Sequence, residues 1–188
     1  MNELILKRRT IRKFDQKALS NEQLTAYVNA ARVAPSAANL QPLKYAIVNT
    51  KEMTDKVFGT LKWAGYLKGE YNPKENERPT AYIVVCVDSS ISKANFDLDV
   101  GAAVENIILS ALFDGVGSCW LGSVDRDALR EMLSIPSTLS ISCVVALGYP
   151  AEAPKEAVAK DGDIKYYLED GNLNVPKRSL EEIIIKAC

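Results

Sequence analysis

No histidine occurs anywhere in the 188 residues. That absence removes the Ser-His-Asp and Cys-His nucleophilic arrangements and the commonest protein metal ligand. Cysteine is scarce: four residues, at positions 86, 119, 143 and 188, with no C-x-x-C pair. A tetracysteine zinc site needs closely spaced pairs, and a chain of this length does not need stapling. The cysteines are therefore expected to be small core residues, plus a free C-terminal thiol at Cys188. Net charge is nearly absent too, with 23 basic against 24 acidic residues. Such a balance gives no global attraction to nucleic acid or to an acidic membrane surface, so any anion site must be local. Uninterrupted apolar runs of membrane-spanning length are missing as well. The most apolar stretch, Phe96–Phe113, carries Asp97, Asp99 and Glu105 and does not read as a simple membrane span. The opening MNELILKRRT is too short in its apolar part, and too charged after it, for a secretory signal. The expectation is a soluble cytoplasmic protein with no metal, nucleic-acid or membrane partner. If it is an enzyme, its hard chemistry should come from a bound organic cofactor.

What is present is a core-rich chain, 47% hydrophobic, without repeats or an obvious linker. Asn2–Lys7 reads as a short helix. Ser20-Asn-Glu-Gln23 is a capping box opening a second helix to about Val33, with Leu24, Tyr27, Val28 and Ala31 inward. Strands are expected at Lys44–Asn49, Ala81–Val87, Val116–Leu121 and Ser140–Leu147, with helices at Lys51–Leu61 and Asp125–Leu133. Phe96–Phe113 should be a central helix, apolar around almost its whole circumference, with the sheet on one side and a second subunit on the other. Trp63–Pro79 is polar and marked by Gly and Pro. Its irregularly spaced Trp63, Tyr66 and Tyr71 predict a mobile flap rather than core. Ser179-Leu-Glu-Glu182 is a second capping box, near the end of the chain. The alternation of helices and strands predicts a three-layer α/β or α+β arrangement.

Three constellations could carry chemistry. Lys7-Arg8-Arg9-Thr10-Ile11-Arg12-Lys13 places five cations in seven residues. It is either a solvated helix end or an anion site in which guanidinium forks grip a phosphate and Thr10 adds a hydroxyl. Ala34–Pro42 is either a plain helix stop or a loop, stiffened by Pro35 and Pro42, that offers the amides of Asn39 and Gln41 to a heterocycle edge. Gly115-Val-Gly117-Ser-Cys-Trp-Leu-Gly122 is not a dinucleotide fingerprint, because Trp120 stands at the third glycine position. Nor is it a P-loop, because Ser123-Val124 replaces the Lys-Ser/Thr. A strand with a glycine exit remains, where backbone can approach a flat ligand.

Taken together these segments resemble the nitroreductase family. Arg8-Arg9-Thr10-Ile11-Arg12-Lys13-Phe14 is similar to its R-R-S-x-R-x-F opening, and Pro35–Pro42 to its P-S-x-x-N-x-Q-P loop. Trp120-Leu121-Gly122, Leu147-Gly148-Tyr149-Pro150 and Pro176-Lys177-Arg178-Ser179-Leu180-Glu181-Glu182 follow in the same order. The resemblance spans essentially the whole chain, and implies a single domain over residues 1–188. The implied fold is α+β in three α/β/α layers, with a mixed, mainly antiparallel sheet and a long central helix at a dimer interface.

The implied cofactor is FMN, with NADH or NADPH as donor, in a homodimer whose sites are shared. Arg8, Arg9 and Thr10 would hold the phosphate and ribityl chain, with Lys177 or Arg178 closing over the phosphate. Arg12 would lie near the N1/O2 edge of the flavin, where a cation favours the anionic reduced ring. Pro35, Ser36 and Asn39 would come from the partner, Gln41 from the loop's end, and backbone amides near Leu121 and Gly122 would approach N5. No side chain is implied as catalytic. Trp63, Tyr66 and Tyr71 would meet the substrate, and residues 171–188 would form a C-terminal extension. Thr10 stands where serine is usual, and Leu43 where an aromatic commonly follows the proline. The implied activity is ping-pong reduction of nitroaromatics, quinones or similar acceptors. Reductive dehalogenation, a dehydrogenating oxidase and a non-catalytic flavin-binding protein are the alternatives.

Overall fold

The AYIVVCV run forms β2 (Ala81–Asp88), the strand buried on both faces. The computed structural model describes residues 2–67, 69–93 and 96–187, so the thiol expected at Cys188 lies outside the described residues. β2 pairs antiparallel with β1 (Leu43–Val48) and β4 (Leu139–Gly148), and β4 with β3 (Gly117–Leu121), in the order β1-β2-β4-β3. Successive side chains of a strand point to opposite faces. Ile83, Val85, Val87, Val145 and Leu147 therefore meet one helix layer, α2 (Asn21–Arg32) and α4 (Phe96–Phe113). Tyr82, Val84, Cys86, Val144 and Ala146 meet the other, α3 (Lys51–Phe58) and α5 (Arg126–Met132). The architecture is α+β, a helix–sheet–helix stack with an antiparallel sheet.

Local chemistry sets the ends of these elements. Ser20 Oγ accepts from the Gln23 amide (3.2 Å), and Gln23 Oε1 accepts from the Ser20 amide (3.1 Å), the reciprocal pair that starts α2. Leu24, Tyr27 and Ala31 are buried as the pattern predicts. α3 ends at Phe58, short of Leu61, with Gly59 as its C-cap. α4 turns Val100, Ala103, Val104, Ile107 and Ala111 inward, yet leaves Leu98 78% and Phe113 81% exposed. Packing within one subunit thus uses only part of its apolar surface. α1 (Asn2–Lys7) lies against α4, with Leu6 exposed.

Two regions differ from the pattern reading. Trp63 and Tyr71 are 6% and 5% exposed in the second core, so these two aromatics are core and not flap surface. Irregular spacing misled here because the segment is built on short turns at Gly65–Leu67 and Glu75–Glu77, where no helix or strand period records which residues meet the core. Tyr66, 51% exposed, is the aromatic of the three at the surface. Near the C-terminus, β5 (Lys155–Val158), β6 (Tyr167–Glu169) and β7 (Asn172–Lys177) form a second small sheet, in the order β5-β7-β6. Gly171, with φ +76, is the turn of the β6–β7 hairpin, and buried Leu173 anchors it to the second core. α6 (Leu180–Ile183) then opens on the Ser179–Glu182 capping box.

The basic segment is seated on the sheet by two glycines. Ile11 N donates to Ser118 O (2.8 Å), and Thr10 forms a parallel bridge with Ser118. A Cβ on Gly117 would lie 2.7 Å from Ile11 Cγ1, and one on Gly148 would lie 2.9 Å from Phe14 Cδ1. Phe14 is fully buried, so the ring has nowhere to retreat. Gly148→Ala is therefore expected to destabilise the protein by about 1–3 kcal/mol through overpacking, read as a lower urea midpoint at unchanged m-value. Burial also raises the Cys119 thiol to about 12 and the Cys143 thiol to about 11, and shifts Cys86 upward. These three are expected to resist a thiol-specific reagent at pH 8 in the native protein and to react once it is unfolded. Rapid native labelling at Cys119 would contradict the packing.

Candidate functional site

Seating Ile11 and Phe14 on the sheet leaves the intervening and preceding cations to face outward. Lys7, Arg8 and Arg9 line a cleft of about 220 Å³ whose floor is Gly117 and Ser118, with Glu152 on its wall. Arg8 Nε is 3.6 Å from Glu105 in the middle of α4. Arg9 pairs with Glu156 of β5 and donates to Leu6 O (2.8 Å). The basic segment is thus an organised wall in which each cation has a carboxylate neighbour, Lys7 with Glu3 (3.5 Å), Arg8 with Glu105 and Arg9 with Glu156, so that a bound anion would share or displace these partners.

Glu152, unremarked in the sequence, holds this wall in register. Its Oε1 accepts from the Arg12 amide and from the Lys13 amide (3.1 Å), and its Oε2 accepts from the Tyr71 hydroxyl. Burial, followed by that carboxylate, pushes the Tyr71 hydroxyl pKa well above its ordinary value, so the proton stays on the phenol. One carboxylate ties the basic segment to the Trp63–Pro79 segment. Arg12 points its guanidinium over the Tyr166 ring (4.8 Å), and Lys13 lies over Tyr71 (4.5 Å).

The Pro35–Gln41 loop is held elsewhere. Ala38, Asn39 and Gln41 have φ of +50, +54 and +54. The left-handed region costs non-glycine residues about 1–2 kcal/mol each, less for Asn. Asp99, 5% exposed in the first turn of α4, offsets that cost: it accepts from Ser36 Oγ and from the Ala37 amide (3.0 Å). Ser36 Oγ in turn accepts from the Gln41 amide (2.9 Å), and Gln41 Nε2 donates to Asn39 O (3.1 Å). Pro35, Asn39 and Gln41 are exposed, and a cavity of about 490 Å³ opens between this loop, α2 and β1. Asp99 was legible only as a charge in an apolar helix; its partners lie 62 and 63 residues away.

Asp99 holds the loop, while Leu112 lines the basic cleft, thirteen residues farther along α4. At helical rise that is about 20 Å. The loop and the floor of the cleft therefore meet α4 at different ends, with Arg8 reaching back to Glu105 in its middle. Leu121 is buried at the end of β3, and Gly122 follows with open space where a Cβ would stand. Arg126 pins this exit, donating to Gly122 O (3.2 Å), Ser142 O (2.9 Å) and Ile141 O (3.0 Å). Lys177 sits opposite Val158 in the small sheet, and Arg178 reaches Glu182 (3.4 Å).

Residues 5–149 match the model of the Nitroreductase family. The chain belongs to the nitroreductase family. An Archaeoglobus fulgidus protein with the provisional name NADH dehydrogenase/NAD(P)H nitroreductase is 38% identical over 157 residues, covering 80% of this chain and 85% of its own. An FMN-dependent nitroreductase from Clostridium difficile R20291 superposes with a TM-score of 0.68 at 26% identity, covering 87% of this chain and 94% of its own. A Desulfovibrio desulfuricans structure described as a nitroreductase in complex with FMN shares the fold, with TM-score 0.70 at 22% identity over 100% of this chain and 96% of its own. The chain is accordingly an oxidoreductase-family protein, and among the described residues no helix is long and apolar enough to cross a membrane.

The nitroreductase wall makes one direct demand on Glu152. Its replacement by alanine releases two backbone amides and one phenol at once. Charge-assisted bonds of this kind are worth roughly 1.5–3 kcal/mol. Glu152→Ala is expected to lose about that much in a urea melt, and Tyr71→Phe less. Equal stability of Glu152→Ala and wild type would show that the segment is held by the glycine seats alone.

Proposed function

We propose that the protein is a cytoplasmic, FMN-dependent NAD(P)H oxidoreductase that acts as a homodimer and reduces nitroaromatics, quinones or similar planar acceptors. The observation that carries this reading is the cationic wall of Lys7, Arg8 and Arg9 opening on a glycine-floored cleft in a chain of the nitroreductase family. The donor set fits FMN. Guanidinium forks and the Thr10 hydroxyl suit its phosphate, and open space at Gly122 lets backbone approach a flat ring. When bound, FMN would supply the hydride-transfer chemistry that links NADH or NADPH to the acceptor in a ping-pong scheme.

The chain's own residues bind and orient. Arg8, Arg9 and Thr10 hold the phosphate, aided from the C-terminal segment by Lys177 or Arg178. Arg12, fixed through its amide by Glu152, would place positive charge beside the ring edge that gains charge on reduction. Leu121 and Gly122 would present backbone to the N5 edge, with open space at Gly122 for a flat ring. Pro35, Ser36, Asn39 and Gln41 serve the cofactor of the partner subunit. That assignment is supported by the separation of loop and cleft along α4 and by the exposed Leu98 and Phe113 on the same helix. Tyr66, the exposed aromatic of the Trp63–Pro79 segment, contacts the acceptor.

Purified protein should be yellow, release FMN on denaturation and oxidise NAD(P)H in the presence of a quinone. Arg8→Ala and Arg12→Ala should each weaken FMN binding by ten- to more than a hundredfold, about 1.5–3 kcal/mol, at unchanged far-UV CD. Wild-type affinity in both would reduce the basic run to a helix end. Sedimentation should show a dimer whose stability rises with added FMN. A monomer at micromolar concentration that still retains FMN would refute the shared site.

A further inference from the structure

The small C-terminal sheet lies beyond residue 149, where the match to the family model ends. It nevertheless touches the candidate site at two of its arginines. Glu156 of β5 pairs with Arg9, and the ring of Tyr166, just before β6, lies under the Arg12 guanidinium at 4.8 Å. Tyr166 is partly buried against the second core and makes two further contacts with Tyr66, across 100 residues of sequence. The ring centroids are 4.9 Å apart at a tilt of 51°, and Tyr166 Oη accepts from the Tyr66 amide at 3.2 Å. One side chain therefore joins three parts of the molecule: the basic segment, the Trp63–Pro79 segment and the small sheet. Tyr66 keeps half its surface open in that arrangement, and Tyr167 and Leu168 beside it are 41% and 39% exposed.

A phenol ring has an electron-rich face. Two tyrosines in tilted contact, one of them backed by a guanidinium, form a stiff platform on which a planar, electron-poor ring can stack. Stiffness matters because a wall ordered in advance loses little conformational freedom on binding. The hydrogen bond to the Tyr66 amide and the Arg12 contact fix the Tyr166 ring on two sides. Trp63 and Tyr71, buried, are not available for this role.

We propose that Tyr166, carried by the C-terminal sheet, is a specificity-determining residue of the flavin site: with Tyr66 it forms the wall that selects planar, electron-poor acceptors beside Arg12. This rests on the FMN reading above. It makes the small sheet an acceptor-selecting unit and predicts that acceptors which do not stack are indifferent to Tyr166. Ferricyanide, a compact octahedral anion, takes electrons without presenting a ring face, whereas a quinone such as menadione must lie flat.

The test uses the full-length protein loaded with FMN. FMN affinity is measured first, by titration of the wild type, Tyr166→Leu, Tyr166→Phe and Tyr66→Leu. Steady-state kinetics follow with menadione and, separately, ferricyanide. Tyr166→Leu is expected to raise the menadione KM about five- to tenfold, with kcat, the ferricyanide KM and FMN affinity within about twofold of wild type. Tyr166→Phe keeps the ring and should stay near wild type for both acceptors. Tyr66→Leu changes an exposed ring, leaves the fold intact and should reproduce the menadione effect even if Tyr166→Leu proves unstable. A menadione KM unchanged in both leucine variants overturns the proposal. So does a parallel rise for ferricyanide, which would mark a general closure of the site, or a Tyr166→Phe variant as impaired as Tyr166→Leu, which would assign the effect to the hydroxyl. Protein that binds FMN and reduces both acceptors but shows flat KM values refutes this inference alone. Wild-type protein that takes up no FMN refutes the flavin reading, and this inference with it.

Discussion

Ile11 and Phe14 can lie flat on the sheet only because residues 117 and 148 have no side chain. That close approach is the constraint from which the site follows. It fixes the basic segment along β3, hydrogen-bonded through Ile11 N to Ser118 O at 2.8 Å, and decides which side chains turn inward. With the two apolar residues buried, Arg8 and Arg9 line the cleft, while Arg12 carries its guanidinium over the Tyr166 ring. Glu152 completes the alignment by accepting the amides of Arg12 and Lys13, positioned just past the strand that supplies Gly148. A glycine is needed at each seat for space rather than for conformational freedom.

The central helix carries a double load. Its sheet-facing side supplies much of the first core, and its polar residues serve as fasteners: Asp99 for the strained Pro35–Gln41 loop, Glu105 for Arg8. The strain in that loop is stored where the chain bends sharply after α2. It is held by a buried carboxylate that accepts both a hydroxyl and an amide. A single helix thus positions both motifs while keeping them apart, and two different faces of the protein depend on its register.

The elements of the three-layer core were readable because their periods are strong. β2 is a continuous apolar run, α4 is mostly apolar over its 18 residues, and α2 begins on a reciprocal cap made of neighbours three residues apart. Such signals are local, and tertiary packing only reinforces them. The Trp63–Pro79 segment was misread because it is built from turns, where burial follows from what the segment folds onto and not from spacing. The small sheet went unseen for a related reason. Its outer strands β5 and β6 are short and largely exposed, its half-buried central strand β7 carries no alternation, and β5 finds its parallel partner in β7 across a long connection.

By itself the sequence determined the composition of the site: a histidine-free chain with its cations concentrated in one segment, an amide-bearing loop between prolines, and glycines at the strand exits. Residue type and short spacing suffice for that, because they set which groups can donate, accept or carry charge. Only the tertiary structure decided how these pieces are held and which others join them. Glu152 meets the basic segment across about 140 residues, Asp99 meets its loop across about 60, and Tyr166 meets Tyr66 across 100. Contacts at such separations leave no periodic trace in the chain, since any polar or aromatic residue at the right place in space satisfies them.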